Sequence, residues 1–345
     1  MLPTSETPRA LGPSVMRAAI RSRPDDFIVE EMLGFEPSGQ GEHLFLTIEK
    51  RGANTHWVAQ QLARWAGIPE HAVGYAGLKD RHAVTRQAFT LHLPGREAPP
   101  LESLAIPGVD VLAVHRHQRK LPRGALRGNR FTLTLREVAG DADAIEQRLC
   151  QVASRGVPNA FGEQRFGRDA GNVPAARAMF AGRRASREKR SIYLSAARSV
   201  LFNRILDERI KQDTWDRPIP GDVFMLDGSH SVFGPEPVDD VLAGRIANFD
   251  VHPTGALWGM GEPRTSEAAR AIEDGVASAD AELAEGLVHA GLKQERRALR
   301  VAVSDLAWHR ENDTLTLSFH LPAGSYATAV LDALGEMRDA SSLAA

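Results

Sequence analysis

Cysteine is almost missing from this chain. Cys150 is the only one in 345 residues, so no internal disulfide can form and no cysteine cluster can hold zinc. Long apolar runs are missing too, and none approaches the ~20 residues that a membrane-spanning helix needs. The first residues, Met1 to Pro13, hold three prolines and acidic Glu6 but no apolar core, unlike a secretory signal. A cytoplasmic location with no membrane contact is therefore expected. Aromatic residues supply only 6% of the chain and tyrosine only 3 positions. Net charge is small as well, at -2, so overall charge alone announces no nucleic-acid partner.

The distribution of charge is more informative than its sum. His115–Arg136 contains seven Lys/Arg and no Asp/Glu, and Gln164–Arg190 contains eight basic and two acidic residues. Two concentrated basic runs on an acidic background suggest one cationic face, although solvated helix or loop faces would carry the same charge. Hydrophobic residues at 43% suffice for real cores, and the length suits two moderate domains.

Periodicity divides the chain. Asp26–Glu31 and His43–Lys50 read as strands. A helix capped by Asn54 or Thr55 should run to about Ala66 with Trp57, Val58, Leu62 and Trp65 on one face. Thr85–Leu93, Val109–Val114 and Arg130–Val138 are again β-like, with Phe131, Leu133 and Leu135 marking one face of the last. Helical spacing resumes at Asp141–Ala153. Asn172 could cap a short helix to Ala181, and Ser191–Lys211 reads as a long amphipathic helix. Residues 218–262 suggest turns and short strands, followed by helices near Ser266–Ala277 and Asp280–Ala290. Strict alternation returns at Leu315, Leu317, Phe319 and Leu321, and Ser325 is a plausible cap for a final helix. The pattern predicts an α+β fold: a loose tail (1–16), a β-rich domain in two parts (17–154 and 304–345), and a largely helical insert (155–303).

The most unusual run is Gly74-Tyr75-Ala76-Gly77-Leu78-Lys79-Asp80-Arg81-His82-Ala83-Val84-Thr85-Arg86-Gln87. It should form a loop with tight turns at Gly74 and Gly77, ahead of a strand. It is not a phosphate loop, because two residues rather than four separate the glycines and Asp80 follows the lysine. Asp80 stands among Lys79, Arg81, His82 and Arg86, and neighbouring cations favour the ionised carboxylate that a nucleophile requires. From the residues alone, a structural turn with Asp80 in a surface ion pair is the default reading. No metal-ligand spacing is present: His115-Arg116-His117 lacks neighbouring ligands and fits an RNA-facing basic segment better.

That run closely resembles the signature of the TruD family of tRNA pseudouridine synthases. Four further segments resemble the family in the same order: Arg23–Glu31 (RPDDFIVEE), Gly124–Phe131 (GALRGNRF), Val157–Gly167 (VPNAFGEQRFG) and Leu321–Thr328 (LPAGSYAT). The likeness spans residues 20 to about 335. It implies a pseudouridine-synthase catalytic domain with a mostly antiparallel mixed sheet, a helical inserted TRUD domain, and a cleft between them lined by the basic runs. It implies further that Asp80 is the nucleophile that isomerises a uridine of tRNA, at tRNA position 13, with no cofactor and no metal.

Arg21, just before the Phe27 strand, is the candidate cation for Asp80, with Lys79 or Arg81 able to serve instead. Phe27 is expected to stack on the extruded uracil, unless it is ordinary core. Asn129 and Tyr326 resemble substrate-contacting positions; similar proteins often carry Phe at the latter. Lys79, Arg81, Arg127, Arg165, Arg183 and Arg184 are candidates for RNA contact. Phe161–Gly167 is either an RNA-contacting loop or a buried turn at a domain junction. No protein partner is implied, and a monomer is expected. The alternative from another class is a non-catalytic protein that binds structured RNA.

Overall fold

The computed structural model describes residues 9–343. They form two compact units. One comprises Val15–Ile145, Val303–Ala327 and 335–343; the other comprises 9–14, Glu146–Ala302 and Thr328–Leu334. Residues 1–8 of the expected tail lie outside the described residues, while Leu11 is buried and Met16 already belongs to a strand.

The first unit is built on a ten-stranded sheet. Its strands are β1 (Met16–Ile20), β2 (Phe27–Leu33), β3 (His43–Arg51), β4 (Val73–Tyr75), β5 (Val84–His92), β6 (Val109–His117), β7 (Leu126–Ala139), β8 (Ser304–Glu311), β9 (Thr314–Pro322) and β10 (Gly335–Asp339). The main order is β8-β9-β7-β2-β5-β3-β6, with β4 beside β5 and β1 between β7 and β10. The pairs β2–β5 and β1–β10 run parallel and the other pairs antiparallel. This is the α+β class with a mostly antiparallel mixed sheet. Alternation decides which face is buried: Leu315, Leu317, Phe319 and Leu321 of β9 are enclosed, and the residues between them are half-exposed.

One helix, α1 (Thr55–Ala66), packs on the sheet. Asn54 caps it by accepting the His56 N–H, and Gly67 ends it in the left-handed conformation at φ 60°. Its buried stripe is Thr55, Val58, Ala59, Leu62, Ala63 and Ala66, which meets Leu44, Leu46 and Ile48 of β3. Trp57 was placed on this stripe by the sequence but is 38% exposed; at the helical period it falls one position outside the i, i+3, i+4 row. Gly74 does not make a turn. It lies within β4, where a Cβ would stand 2.5 Å from Thr90 Oγ1 and 2.7 Å from the Leu121 carbonyl. Close packing, not backbone freedom, requires glycine there.

The second unit is mainly helical: Asn172–Phe180, Arg187–Lys211, Asp240–Ala247, Glu267–Ala279 and Ala281–His289. A four-stranded antiparallel sheet accompanies them, in the order Val232–Phe233, Phe224–Leu226, Val251–Leu257, Glu295–Ala298. The long helix buries Ala196, Ala197, Val200, Leu201, Phe202, Ile205 and Leu206. It starts at Arg187, earlier than its apolar periodicity announces, because Ser186 caps it by accepting the Lys189 N–H while its first turn is charged. Asn172 is not a cap: it is the first helical residue, after Gly171. Among the described residues no helix is long and apolar enough to cross a membrane.

Candidate active site

Residues 76–83 connect β4 to β5 and carry Asp80. Their main chain is tied down at successive points. Gln87 Nε2 donates to the Gly77 carbonyl at 3.4 Å. Thr55 Oγ1, at the start of α1, accepts the Lys79 N–H at 3.0 Å and donates to Gln87 Oε1 at 2.9 Å. Lys79 Nζ pairs with Glu31 Oε1 at 2.9 Å, with side chains only 7% and 1% exposed. The second Glu31 oxygen accepts the Ala88 N–H at 3.0 Å. Lys50 Nζ donates to the carbonyls of Ala53 at 2.7 Å and Asp80 at 3.0 Å, and Arg81 Nε donates to the Gly52 carbonyl at 3.1 Å. A loop anchored from β2, β3, β5 and α1 holds its carboxylate on a rigid frame.

The Asp80 carboxylate accepts the His82 N–H on Oδ1 at 3.0 Å and faces Arg21 Nη2 with Oδ2 at 3.1 Å. Arg21 follows β1 in the left-handed conformation, φ 55°, and its other terminal nitrogen donates to Asp339 Oδ2 at 2.7 Å. One guanidinium thus bridges two carboxylates, which its planar fork can do and a point charge does less well. Burial pushes the Asp339 carboxyl up, but the Ser341 hydroxyl and N–H and the Arg21 guanidinium outweigh it and hold the group below its ordinary value. The same guanidinium lies 4.3 Å from the centre of the Phe27 ring, a cation–π distance.

Register places the remaining groups. Phe27, Val29 and Glu31 share one face of β2, directly opposite Leu133, Phe131 and Asn129 of β7. On β9 these meet Leu317, Phe319 and Leu321. Phe27 and Phe131 make an edge contact at 6.4 Å, and Phe131 stacks on Phe319 at 5.4 Å. Asn129 is buried, and its Oδ1 has no hydrogen-bond partner among the described residues. Arg21, Phe27 and Asp80 therefore converge, and Asn129 lies on the same sheet face as Phe27, opposite Glu31. A carboxylate, its cation, an aromatic ring and an open amide acceptor are the groups that nucleophilic work on a planar base needs.

A family model described as tRNA pseudouridine synthase D (TruD) matches residues 12–176 and 175–334. The chain belongs to the TruD family. It is 54% identical to the tRNA pseudouridine synthase D of Xanthomonas axonopodis pv. citri, covering 99% of this chain and 97% of that one. It is 48% identical to that of Methylococcus capsulatus, covering 96% and 94%. A solved structure described as tRNA pseudouridine synthase D of Methanosarcina mazei has the same fold, with a TM-score of 0.75 at 20% identity over 95% of each chain.

The other residues singled out in this TruD-family sequence are distributed unevenly. Tyr326 is 37% exposed, beyond the turn at Pro322–Ser325. Arg127 is exposed, and its carbonyl accepts the Ala323 N–H at 3.1 Å, tying that turn to β7. Lys79, expected to meet RNA, is enclosed with Glu31 instead. The first basic run is largely engaged within the protein: Arg116 donates to the Arg96 carbonyl, Lys120 to the His71 carbonyl, Arg123 to the Tyr75 hydroxyl, and Arg136 to both Asp26 oxygens.

In the second unit, Arg165 donates to Ser195 Oγ at 2.8 Å and lies 5.1 Å from the Phe161 ring centre, while Phe166 is buried. Arg177 pairs with Asp280 and Glu282. Arg183, Arg184, Arg187, Lys189 and Arg190 are exposed.

Reasoning from sequence missed Glu31, Lys50 and Asp339. Lys50 carries a readable signal, because it continues the inward-facing row Leu44, Leu46, Ile48 of β3. Glu31 carries the same kind of signal, continuing the row of Phe27 and Val29 on β2, while Asp339 carries none.

Proposed function

We propose that this chain isomerises uridine to pseudouridine in tRNA, at position 13 of the tRNA's own numbering, with Asp80 as the nucleophile. The observation that carries the reading is the Asp80 carboxylate held against Arg21 at 3.1 Å, with the Phe27 ring beneath the same guanidinium. The reaction breaks the bond from ribose C1′ to uracil N1, turns the base, and joins C1′ to C5, whose hydrogen leaves as a proton while N1 takes one up. Atoms and electrons balance within the substrate, so no cofactor is required. Asp80 supplies an electron pair, Arg21 holds it in place, and Phe27 offers a flat face to the flipped base. The open Asn129 oxygen suits an N–H of the uracil edge, and Tyr326, in the loop after β9, is offered as a further substrate contact. Arg81, Arg127, Arg165, Arg183 and Arg184 are offered as contacts to RNA phosphates. The enzyme acts in the cytoplasm, where tRNA is found, as a monomer.

The test is release of C5 tritium from labelled tRNA at saturating enzyme, where binding defects cannot masquerade as chemical ones. Asp80→Asn keeps the shape of the residue, so folding and tRNA binding should persist while release falls by orders of magnitude. Asp25 is exposed and paired with Arg51, so Asp25→Asn serves as the control. Wild-type release by Asp80→Asn would refute Asp80 as nucleophile, whereas no release by the wild type would leave a non-catalytic RNA-binding protein as the reading.

A further inference from the structure

Lys50 stands where an apolar residue would be cheaper. Its side chain is fully buried, in register between Thr85 of β5 and Val109 of β6, and in line with Leu44, Leu46 and Ile48 of the core-facing row. Burying an ammonium is costly unless it is well partnered. Its partners among the described residues are carbonyl oxygens, of Ala53 at 2.7 Å and of Asp80 at 3.0 Å, not a carboxylate. Ala53 precedes the cap of α1, and Asp80 is the proposed nucleophile. A single nitrogen from the middle of the sheet thus joins the helix start to the main chain of the reactive residue.

Resting on the functional reading above, we propose that Lys50 is a positioning residue for the reaction: it grips the Asp80 carbonyl from inside the sheet and so fixes where the carboxylate stands against Arg21 and the base. The carboxylate itself is held on its other side by Arg21 and the His82 N–H. With the carbonyl anchored, the side chain has little freedom to swing away, which is the pre-organisation that catalysis at a carboxylate demands. Thr85 Oγ1, across the strand pair from Lys50, is buried with no hydrogen-bond partner among the described residues.

The charge of Lys50 is sensitive to solution conditions. Burial pushes its ammonium down to about 8; the Asp80 carboxylate works against this, and Lys79 adds to it. Those are the charged groups that bear on it. As pH rises through about 8 the ammonium becomes an amine, which still offers two N–H donors but no charge. Hydrogen bonds from a charged donor are roughly twice as strong as neutral ones. The hold on Asp80 should weaken across that range without disappearing.

The experiment is tritium release from C5-labelled tRNA by the full-length chain, comparing wild type, Lys50→Met and Lys50→Gln from pH 6.5 to 9.5. Lys50→Met leaves two buried carbonyls unpaired, so kcat should fall about ten- to a hundred-fold with KM within about two-fold. Lys50→Gln restores an NH2 donor one bond shorter and without charge, so it should recover part of the lost kcat. Wild-type kcat should fall a few-fold as pH passes about 8, and Lys50→Gln should lack that step. Wild-type kcat in Lys50→Met would overturn the proposal, as would an alkaline step of equal size in Lys50→Gln. Should Lys50→Met fail to fold, the pH profile of Lys50→Gln decides alone. No release by the wild type would overturn the functional reading and this inference with it, whereas an active wild type confines any failure to Lys50.

Discussion

Glu31→Gln offers a stringent test of how the loop that carries Asp80 is held. Glu31 and the Lys79 ammonium form an ion pair at 2.9 Å, with side chains 1% and 7% exposed, and the other carboxylate oxygen accepts the Ala88 N–H at 3.0 Å. The amide keeps one acceptor oxygen but turns an NH2 toward one of two donors. It also leaves the Lys79 charge buried without a counter-charge. Removing one partner of a buried pair costs roughly 3–5 kcal/mol. The retained acceptor puts this case near the lower end, at about 3 kcal/mol. That is a large fraction of the ~5–15 kcal/mol by which folded domains are stable. Urea denaturation followed by circular dichroism measures it, as a drop in midpoint at unchanged slope. Adding Lys79→Met removes the orphaned charge while keeping the stem's bulk, so the double variant should regain at least half of the loss. A single-variant loss below about 1 kcal/mol, within reach of ordinary surface substitutions, would refute the reasoning. So would a double variant no more stable than the single one.

Two further outcomes follow from the geometry. Phe27→Leu retains most of the buried volume but not the flat ring, so tritium release should fall about ten-fold or more, while Phe27→Tyr keeps most of it; a thermal melt lowered as far as activity would mark Phe27 as core only. Arg183→Ala combined with Arg184→Ala should make the slope of log affinity for tRNA against log salt shallower by about 1 to 2, and an unchanged slope would leave both as ordinary solvated charges.

The strand pattern was legible because alternation is a local property. Leu315 to Leu321 and Phe131 to Leu135 announce buried faces by spacing alone. The cation at Arg21 and the ring at Phe27 were legible only through likeness to a family, since neither spacing nor composition links residue 21 to residue 80. The pairing of Lys79 with Glu31 was misread for a physical reason. A lysine beside an aspartate in a glycine-bearing loop looks solvated, and its partner 48 residues away comes into reach only once β2 and β5 lie side by side in parallel. Lys50 was legible in principle, as the fourth member of an inward row, yet a lysine at a strand's end is usually read as its exposed stop. The first basic run also looked more available than it is, because its bonds go mostly to carbonyls and side chains distant in sequence.

The bridge from Arg21 to Asp339 spans 318 positions of sequence. Strand β1 pairs with β10 residue for residue, Met16 against Gly335 through Ile20 against Asp339, so the clamp closes only after Asp339 has been made. During synthesis the chain can assemble β2, β3, β5 and α1, and even seat Asp80 on Lys50, long before the counterweight to Arg21 exists. Closing so long a loop carries a chain-entropy cost that grows only slowly with its length, but contacts this distant in sequence are slow to form. The contact of Arg21 with Asp339 thus makes the Asp80 site depend on residues from both ends of the catalytic unit's sequence.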